Sequence, residues 1–174
     1  MSAMDEVKLA VLLSKRSKIS LTGALDDACA SRFGGLWLTN NLSMEVVLKE
    51  EVPRYEVVLY LPRRKVKTYS LRDVDMSWIR DLVYRAFKLA VRGQWIESIK
   101  INTYAYNLVF KYDLKPIHSA MRAGALIAGV SGKGPSVFAL SDGGTRNIRR
   151  AWRAEGYENL LVTRIRELKR DELG

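Results

Sequence analysis

A chain of 174 residues is long enough to bury a sizeable hydrophobic core and corresponds to one or two domains. Hydrophobic residues make up 48% and charged residues 28% of the chain, which excludes a wholly disordered protein. The formal net charge of +10 permits anionic partners, either nucleic acid or phosphorylated small molecules, and does not choose between them. The single cysteine, Cys29, excludes an internal disulfide and a cysteine-rich metal site.

The sequence shows no targeting or membrane-spanning signal. No apolar run approaches the roughly 18 residues that are needed to cross a bilayer. The beginning, MSAMDE, is acidic and lacks the basic region of a signal peptide. Together with the single cysteine, these features predict a cytoplasmic protein with no membrane partner.

The first fifty residues predict two helices followed by a β-hairpin. Ser2 and Asp5 have the spacing of a capping box, which begins the first helix, and Gly34 is a stop for the second. Asn40 and Asn41 form the hairpin turn. The predicted elements are helices at about 2–13 and 23–33 and strands at 35–39 and 44–49.

A change of composition predicts a domain boundary after the hairpin. The segment EEVPR, residues 50–54, is polar and contains a proline. We therefore place one domain at residues 1–52 and a second at 53–174.

The second domain has the order strand, helices, strand, strand, helix and strand. This is the ferredoxin-like α+β order with an elaborated first crossover. Trp78 and Leu82 are expected on the inner face of its first helix, and Pro116 is suited to the first turn of its third. The predicted elements are strands at 55–61, 126–130, 135–141 and 160–165 and helices at about 77–93, 94–110, 116–123 and 145–156.

A glycine-rich segment, GVSGKGPSVFAL at 129–140, leads directly into a predicted strand. Such a loop between two β-like segments can point its N–H groups at an anion. It is not a Walker loop, which needs G-x-x-x-x-G-K followed by Ser or Thr and then a helix. It is not a dinucleotide fingerprint either, because a strand follows the glycines. A glycine-rich hairpin without a ligand is the alternative.

A second segment, TGALDDACASRFGG at 22–35, places two adjacent carboxylates in a first helical turn. The helix dipole favours negative charge at that position. Consecutive helical residues point about 100° apart, so Asp26 and Asp27 cannot both face one substrate. Paired acids in a first turn are also common as simple caps, which is the alternative to a catalytic role.

Together the two segments resemble the GHMP kinase superfamily and, within it, the archaeal type of shikimate kinase. In that family a T-G-A-x-D-D-A-x-A-S-x-x-G-G segment carries the catalytic aspartate, and an S-G-x-G-P loop, continued by Ser or Ala, precedes a small apolar strand. The resemblance covers nearly the whole chain. It implies the C-terminal part of a two-domain α+β kinase, in which 1–52 is the tail of a ribosomal-protein-like, nucleotide-binding N-terminal domain and 53–174 is a ferredoxin-like C-terminal domain.

The resemblance implies a transferase that uses ATP and Mg²⁺ to phosphorylate shikimate to shikimate 3-phosphate in aromatic amino acid biosynthesis. Asp26 matches the catalytic aspartate, supported by Thr22, Gly23 and Asp27. An aspartate there can take the acceptor proton or hold a lysine or Mg²⁺; no residue is assigned as a metal ligand. The phosphate or substrate loop comprises Ser131, Gly132, Lys133 and Gly134. The lysine of this loop replaces a small residue of the family, and it either adds a cation near the phosphates or points to water.

One family motif is missing from the sequence. The ATP phosphate loop, a P-x-S-S-G-L-x-S-S-A type segment, precedes the aspartate segment in the family and does not occur here. A second polypeptide or segment carrying that loop is therefore an expected partner. The alternatives are a degenerate kinase scaffold and a basic module that binds RNA. No strand carries the aromatic-rich RNA-recognition signature, so nucleic acid is not an expected partner.

Overall fold

The computed structural model describes residues 1–20, 23–63 and 74–169, which divide into two compact units. The first unit holds the described residues up to 54 together with 74 and 165–169; the second holds 55–63 and 75–164. The sequence predicted one boundary, at residue 52, whereas in the structure the chain also returns to the first unit at residue 165. The functional identity of the two domains stays a prediction. Within the described ranges, no helix is long and apolar enough to span a bilayer.

The first unit contains two helices and a two-stranded antiparallel sheet. Its elements are α1 (Ala3–Arg16), α2 (Leu25–Phe33), β1 (Leu36–Asn40) and β2 (Glu45–Glu50). The predicted capping box begins α1: the hydroxyl of Ser2 accepts the N–H of Asp5 at 3.1 Å, and the carboxylate of Asp5 accepts the N–H of Ser2 at 2.9 Å. Gly34, with φ 74°, ends α2 as predicted.

A small core joins the two helices and the hairpin of the first unit. Its buried side chains are Val7, Val11, Leu25, Cys29, Phe33 and Trp37. The rings of Phe33 and Trp37 lie with their centroids 5.6 Å apart, and the indole N–H of Trp37 donates to the carbonyl of Gly34 at 2.6 Å. This core fixes the N-terminal turn of α2, because Leu25 and Cys29 are fully buried in it.

The second unit is built on one four-stranded antiparallel sheet. Its elements are β3 (Glu56–Tyr60), α3 (Arg80–Val91), α4 (Trp95–Phe110), α5 (Lys115–Arg122), β4 (Ile127–Val130), β5 (Val137–Ser141), α6 (Arg146–Ala154) and β6 (Leu160–Arg164). The strand order is β4-β5-β3-β6, with the first strand of the unit in the interior, as in a ferredoxin-like sheet. The predicted α+β fold class is confirmed.

The helices α5 and α6 pack against this sheet through a shared core. Ile148 and Trp152 of α6 are buried with Ala120 of α5 and Val58 of β3. The indole N–H of Trp152 donates to the carbonyl of Pro116 at 2.7 Å, so its one polar group is satisfied. Since the apolar side of α6 faces the sheet, its arginines are left on the outer side.

The first helix of this unit differs from the sequence-based expectation. A single 3₁₀ turn, Ser77–Ile79, precedes α3, and Asp75 rather than Ser77 provides the cap: its carboxylate accepts the N–H of Ser77 at 2.8 Å. Ile79 is fully buried, whereas Trp78 is 59% exposed. The expectation that Trp78 and Leu82 lie inside was wrong, since Leu82 is also exposed, at 39%. The 3₁₀ turn rotates the residues before α3 out of the helical phase on which the expected inner face was based.

Candidate active site

The chain enters α2 along a path that depends on glycine. Gly23 has φ 94° and Ala24 has φ 51°. A Cβ atom on Gly23 would lie 2.6 Å from Cγ1 of Val11 and 3.0 Å from Cδ of Lys15. Because α1 packs directly on this backbone, no other residue fits at position 23 without displacement. These two left-handed residues also delay the start of α2 to Leu25, later than the sequence predicted.

Asn41, in the turn after β1, holds the first turn of α2. Its side-chain oxygen accepts the N–H of Leu25 at 2.7 Å, and its amide nitrogen makes a longer contact of 3.5 Å with Oδ1 of Asp26. The N-cap residue, Ala24, makes no side-chain hydrogen bond. Asn41 instead accepts the N–H of Leu25, a bond that an N-cap side chain usually provides, although it lies 16 residues further along the chain. This arrangement orients the carboxylate of Asp26. Sequence reasoning treated Asn41 only as a turn residue.

The two adjacent carboxylates have different surroundings. Asp26 is half-buried and contacts Asn41, whereas Asp27 is exposed. One turn further along α2, burial raises the pKa of the Cys29 thiol, and the negative charge of Asp26 raises it further. Asp26 therefore lies on the same side of the helix as a core residue. The roles assigned to Asp26, Asp27 and Gly23 stay predictions, and Thr22 lies outside the described residues.

We expect Cys29 to resist alkylation in the folded protein. The thiolate is the reactive species, and Cys29 is fully buried with a raised pKa. Iodoacetamide at pH 7.5 should label the native protein at least about a hundredfold more slowly than the urea-unfolded chain, because labelling requires an opening of the core. Equal rates in the two states would show that α1 does not cover this face of α2.

Hydrogen bonds inside the loop between β4 and β5 fix its shape. The N–H of Ser131 donates to the carbonyl of Ser136 at 2.8 Å, and the N–H of Gly134 donates to the carbonyl of Ser131 at 2.9 Å. The hydroxyl of Tyr112 donates to the carbonyl of Lys133. Two of the N–H groups that were expected to face an anion are therefore used within the loop. The exposed Ser131 hydroxyl and the exposed backbone of Gly132 are the groups that can meet a phosphate.

Tyr112, in the connection between α4 and α5, packs against this loop at Lys133 and Gly134. A Cβ atom on Gly134 would lie 2.8 Å from Cζ of Tyr112 and 2.8 Å from Cγ1 of Val130. Burial raises the pKa of the Tyr112 phenol, so its hydroxyl keeps the proton that it donates to Lys133. Tyr112 was not foreseen from the sequence, because its partner lies 21 residues away and no local pattern marks it.

The two loop glycines should respond differently to substitution by alanine. Both have positive φ, 57° at Gly132 and 69° at Gly134, but no atom lies within 4 Å of a Cβ at Gly132. Gly132→Ala should therefore cost about 1 kcal/mol of folding free energy from backbone strain alone. Gly134→Ala must also displace Tyr112, and it should cost roughly 2 kcal/mol or more. Urea denaturation of both variants measures the difference, and equal losses would contradict the close approach of Tyr112.

The aspartate segment belongs to the first unit and the glycine loop to the second. No family model matches the chain. It is nevertheless 42% identical over 160 residues to the shikimate kinases of Pyrococcus abyssi and Pyrococcus furiosus, and 40% identical over 166 residues to that of Thermococcus kodakarensis. These matches cover 92%, 92% and 95% of this chain. The resemblance to the archaeal shikimate kinases is confirmed. The chain spans 57% of the length of the two Pyrococcus relatives and 60% of the third.

Solved structures of a homoserine kinase and of two mevalonate kinases share the fold of this relative of the archaeal shikimate kinases. The homoserine kinase of Cytophaga hutchinsonii superimposes with a TM-score of 0.57 at 21% identity, over 82% of this chain and 51% of that one. The mevalonate kinase of L. major gives 0.60 at 18% identity, over 84% and 53% of the two chains. A further mevalonate kinase structure gives 0.63 at 14% identity, over 97% and 58%. At these identities the likeness concerns the fold alone.

Proposed function

We propose that this chain is the part of a shikimate kinase that carries the catalytic aspartate. The complete enzyme transfers the γ-phosphoryl group of ATP to shikimate and forms shikimate 3-phosphate, a reaction of aromatic amino acid biosynthesis in the cytoplasm. The observation that carries the proposal is Asp26: a half-buried carboxylate, oriented by Asn41, in the segment that resembles the catalytic segment of the family. Relatives at 40–42% identity are named shikimate kinases, which supports the choice of acceptor.

Asp26 acts on the acceptor hydroxyl in this proposal. Phosphoryl transfer needs the attacking oxygen to be aligned and the charge on the transferred group to be stabilised. The carboxylate of Asp26 accepts the hydroxyl proton as the new O–P bond forms and the bond to the leaving ADP breaks. Asn41 supports this step because it fixes the orientation of the carboxylate through the contact at Oδ1. Gly23 supports it by allowing α1 to pack against the approach to α2.

Mg²⁺ and ATP are the cofactors of the proposed reaction. Among the described residues, no group of three or more His, Cys, Asp or Glu side chains is placed to hold a metal ion. Mg²⁺ does not need such a group, because it commonly takes one or two carboxylates and completes its shell with water and substrate phosphates. Asp26 is the carboxylate that this chain would offer. When bound, the ion neutralises charge on the phosphates.

The loop between β4 and β5 meets the phosphates or the substrate in this proposal. Its backbone is held by Tyr112 and by the internal hydrogen bonds, so the Gly132 N–H has a fixed position and the Ser131 hydroxyl projects from a fixed backbone. Preorganised donors of this kind stabilise developing negative charge without a cost of reorganisation. Gly134 allows the loop to approach Tyr112, and Lys133 contributes its carbonyl to the same contact.

The phosphate-binding loop is supplied, we propose, by a polypeptide segment or chain other than these 174 residues. The first unit has an apolar surface that such a segment can cover: Leu9, Leu12 and Leu13 of α1 are 46%, 50% and 53% exposed. Its described sheet has two strands, β1 and β2, and packs on the helices through the core that includes Trp37. An added segment that extends this sheet would bury these leucines and contribute the loop that cradles ATP.

Comparison of acceptor alcohols tests the proposed function. The chain is mixed with a polypeptide that corresponds to the part of the Pyrococcus abyssi relative not matched by it, and ADP release from ATP is followed with shikimate, homoserine, mevalonate and galactose. We expect kcat/KM for shikimate to exceed that of the others by about a hundredfold or more, since a site whose polar groups match one alcohol leaves them unpaired when an alcohol of different shape or polar groups binds. A preference for another alcohol, or no acceptor-dependent ADP release, would contradict the assignment.

A further inference from the structure

The helix α6 presents an arginine-rich surface on the side that faces away from the sheet. Ile148 and Trp152 are buried on its inner side at 1% and 0% exposure. The outer side carries arginine at four of the nine helical positions. With one asparagine, these arginines line a concavity of about 680 Å³. We call this surface the α6 arginine face; its residues are Arg146, Asn147, Arg149, Arg150 and Arg153.

The positive charge of this face is not balanced by carboxylates in the part of the chain that the structure describes. The ion pairs there join other arginines to acids: Arg122 to Glu155 at 3.6 Å and Arg164 to Glu56 at 3.6 Å in the second unit. Both of these glutamates also accept hydrogen bonds, Glu155 from a serine and Glu56 from a threonine. Glu155, which follows α6 directly, and Glu56, which accepts from the residue before α6, are thus already occupied by other partners.

A buried donor in the same face lacks a partner. The Nε atom of Arg149 is shielded from solvent and makes no hydrogen bond within the described structure. A buried, unsatisfied donor is costly, and in native proteins it usually has a partner such as water, an ion or a ligand. The four guanidinium groups around the concavity form no ion pair with a carboxylate among the described residues, and an anion bound at this face would balance their charge.

We propose that the α6 arginine face binds a compact anion with two or three phosphate groups. From Arg146 to Arg153 the helix rises about 10 Å, which suits a short chain of phosphates. Guanidinium groups bind phosphate oxygens in a bidentate manner, which favours arginine over lysine at such a site. Among the described residues that line the concavity none is aromatic, whereas single-stranded nucleic acids are held by stacking on aromatic rings. The face belongs to the second unit and the proposal does not depend on the kinase reaction.

Titration calorimetry with inorganic tripolyphosphate in 0.15 M KCl tests this proposal on the full chain. We expect saturable binding of one anion per chain, weakened about tenfold or more when three exposed arginines of the face are changed together, because charge-assisted hydrogen bonds to the anion are lost. The face variant is Arg146→Gln, Arg150→Gln and Arg153→Gln. A matched control removes three exposed arginines on or beside α3, and it should bind within about twofold of the unchanged chain. The control variant is Arg80→Gln, Arg85→Gln and Arg92→Gln.

A single substitution separates the shape of the site from its charge. Arg149→Lys keeps the positive charge and removes the planar guanidinium group that binds phosphate oxygens in a bidentate manner, so it should weaken binding while circular dichroism shows an unchanged fold. ATP should displace tripolyphosphate if the ligand is the phosphate tail of a nucleotide, and it should fail to do so if the ligand is free polyphosphate; either result supports the site. Equal losses in the two triple variants, absence of saturable binding, or an RNA oligonucleotide that outcompetes tripolyphosphate would overturn the proposal.

Discussion

Changing Asp26 to asparagine in the assembled kinase should lower kcat about a hundredfold or more, the scale expected for a positioned acid–base group. The amide has nearly the shape of the carboxylate, so the packing of α2 and the contact with Asn41 can persist. The amide oxygen cannot accept the acceptor proton effectively, so the loss should fall on the chemical step and leave KM for ATP nearly unchanged. Steady-state kinetics with saturating shikimate measure both quantities.

Asp27→Asn is the matched control for this experiment, because it removes the same charge from the next position of the same helix turn. Asp27 is exposed, whereas Asp26 is half-buried beside Asn41. Because Asp27 has only a supporting role in the proposal and its side chain is exposed, we expect its variant to lose far less of kcat than the Asp26 variant. A hundredfold loss in Asp27→Asn together with an active Asp26→Asn would reverse the assignment.

A second large effect is expected on the rate of ADP release, which should depend on whether the complementary polypeptide is present. The chain alone should release no ADP above background, because its sequence offers no Gly/Ser-rich loop that leads into a helix N-terminus and holds the nucleotide phosphates. With the complementary part of an archaeal relative, kcat should rise to the range of roughly 1–100 s⁻¹ that is usual for kinases. Full activity of the chain alone, as a monomer, would contradict the need for a further segment.

Two leucine substitutions locate the surface on which the added segment is expected to pack. Leu12 of α1 and Leu161 of β6 are each 50% exposed, so replacing either with lysine introduces the same charge at the same degree of exposure. Leu12→Lys should abolish the gain of activity on mixing, because it places a charge in an apolar interface. Leu161→Lys lies in the other unit and should leave that gain intact.

The local signals in the sequence predicted most of the elements. The Ser2–Asp5 capping box, the Gly34 stop and Pro116 at the start of α5 all depend on neighbours within a few residues, and all occur in the structure. The strand order of the second unit also agrees with the order of the predicted elements. For the caps and the proline, the pattern along the chain and its physical cause have the same short range, whereas the strand order follows from the sequence of strands and helices typical of a ferredoxin-like fold.

The features missed by the sequence analysis depend on long-range contacts. Asn41 contacts Leu25 across 16 residues, and Tyr112 contacts Lys133 across 21. Neither residue type is unusual where it stands, so nothing local marks its role. The exposure of Trp78 was missed for a related reason: a single 3₁₀ turn changes which side chains face inward, and hydrophobic periodicity assumes one regular helix.

Phosphorus-31 NMR of the assembled protein tests the central claim most directly. ATP, Mg²⁺ and shikimate are added to the chain and its complementary polypeptide, and the phosphorus signals are followed over time. The account predicts that the signals of ATP decrease while those of ADP and of one phosphate monoester of shikimate appear. Asp26→Asn should suppress this conversion, whereas Asp27→Asn should not. Formation of inorganic phosphate without a monoester, or equal conversion by the Asp26 variant, would contradict the account.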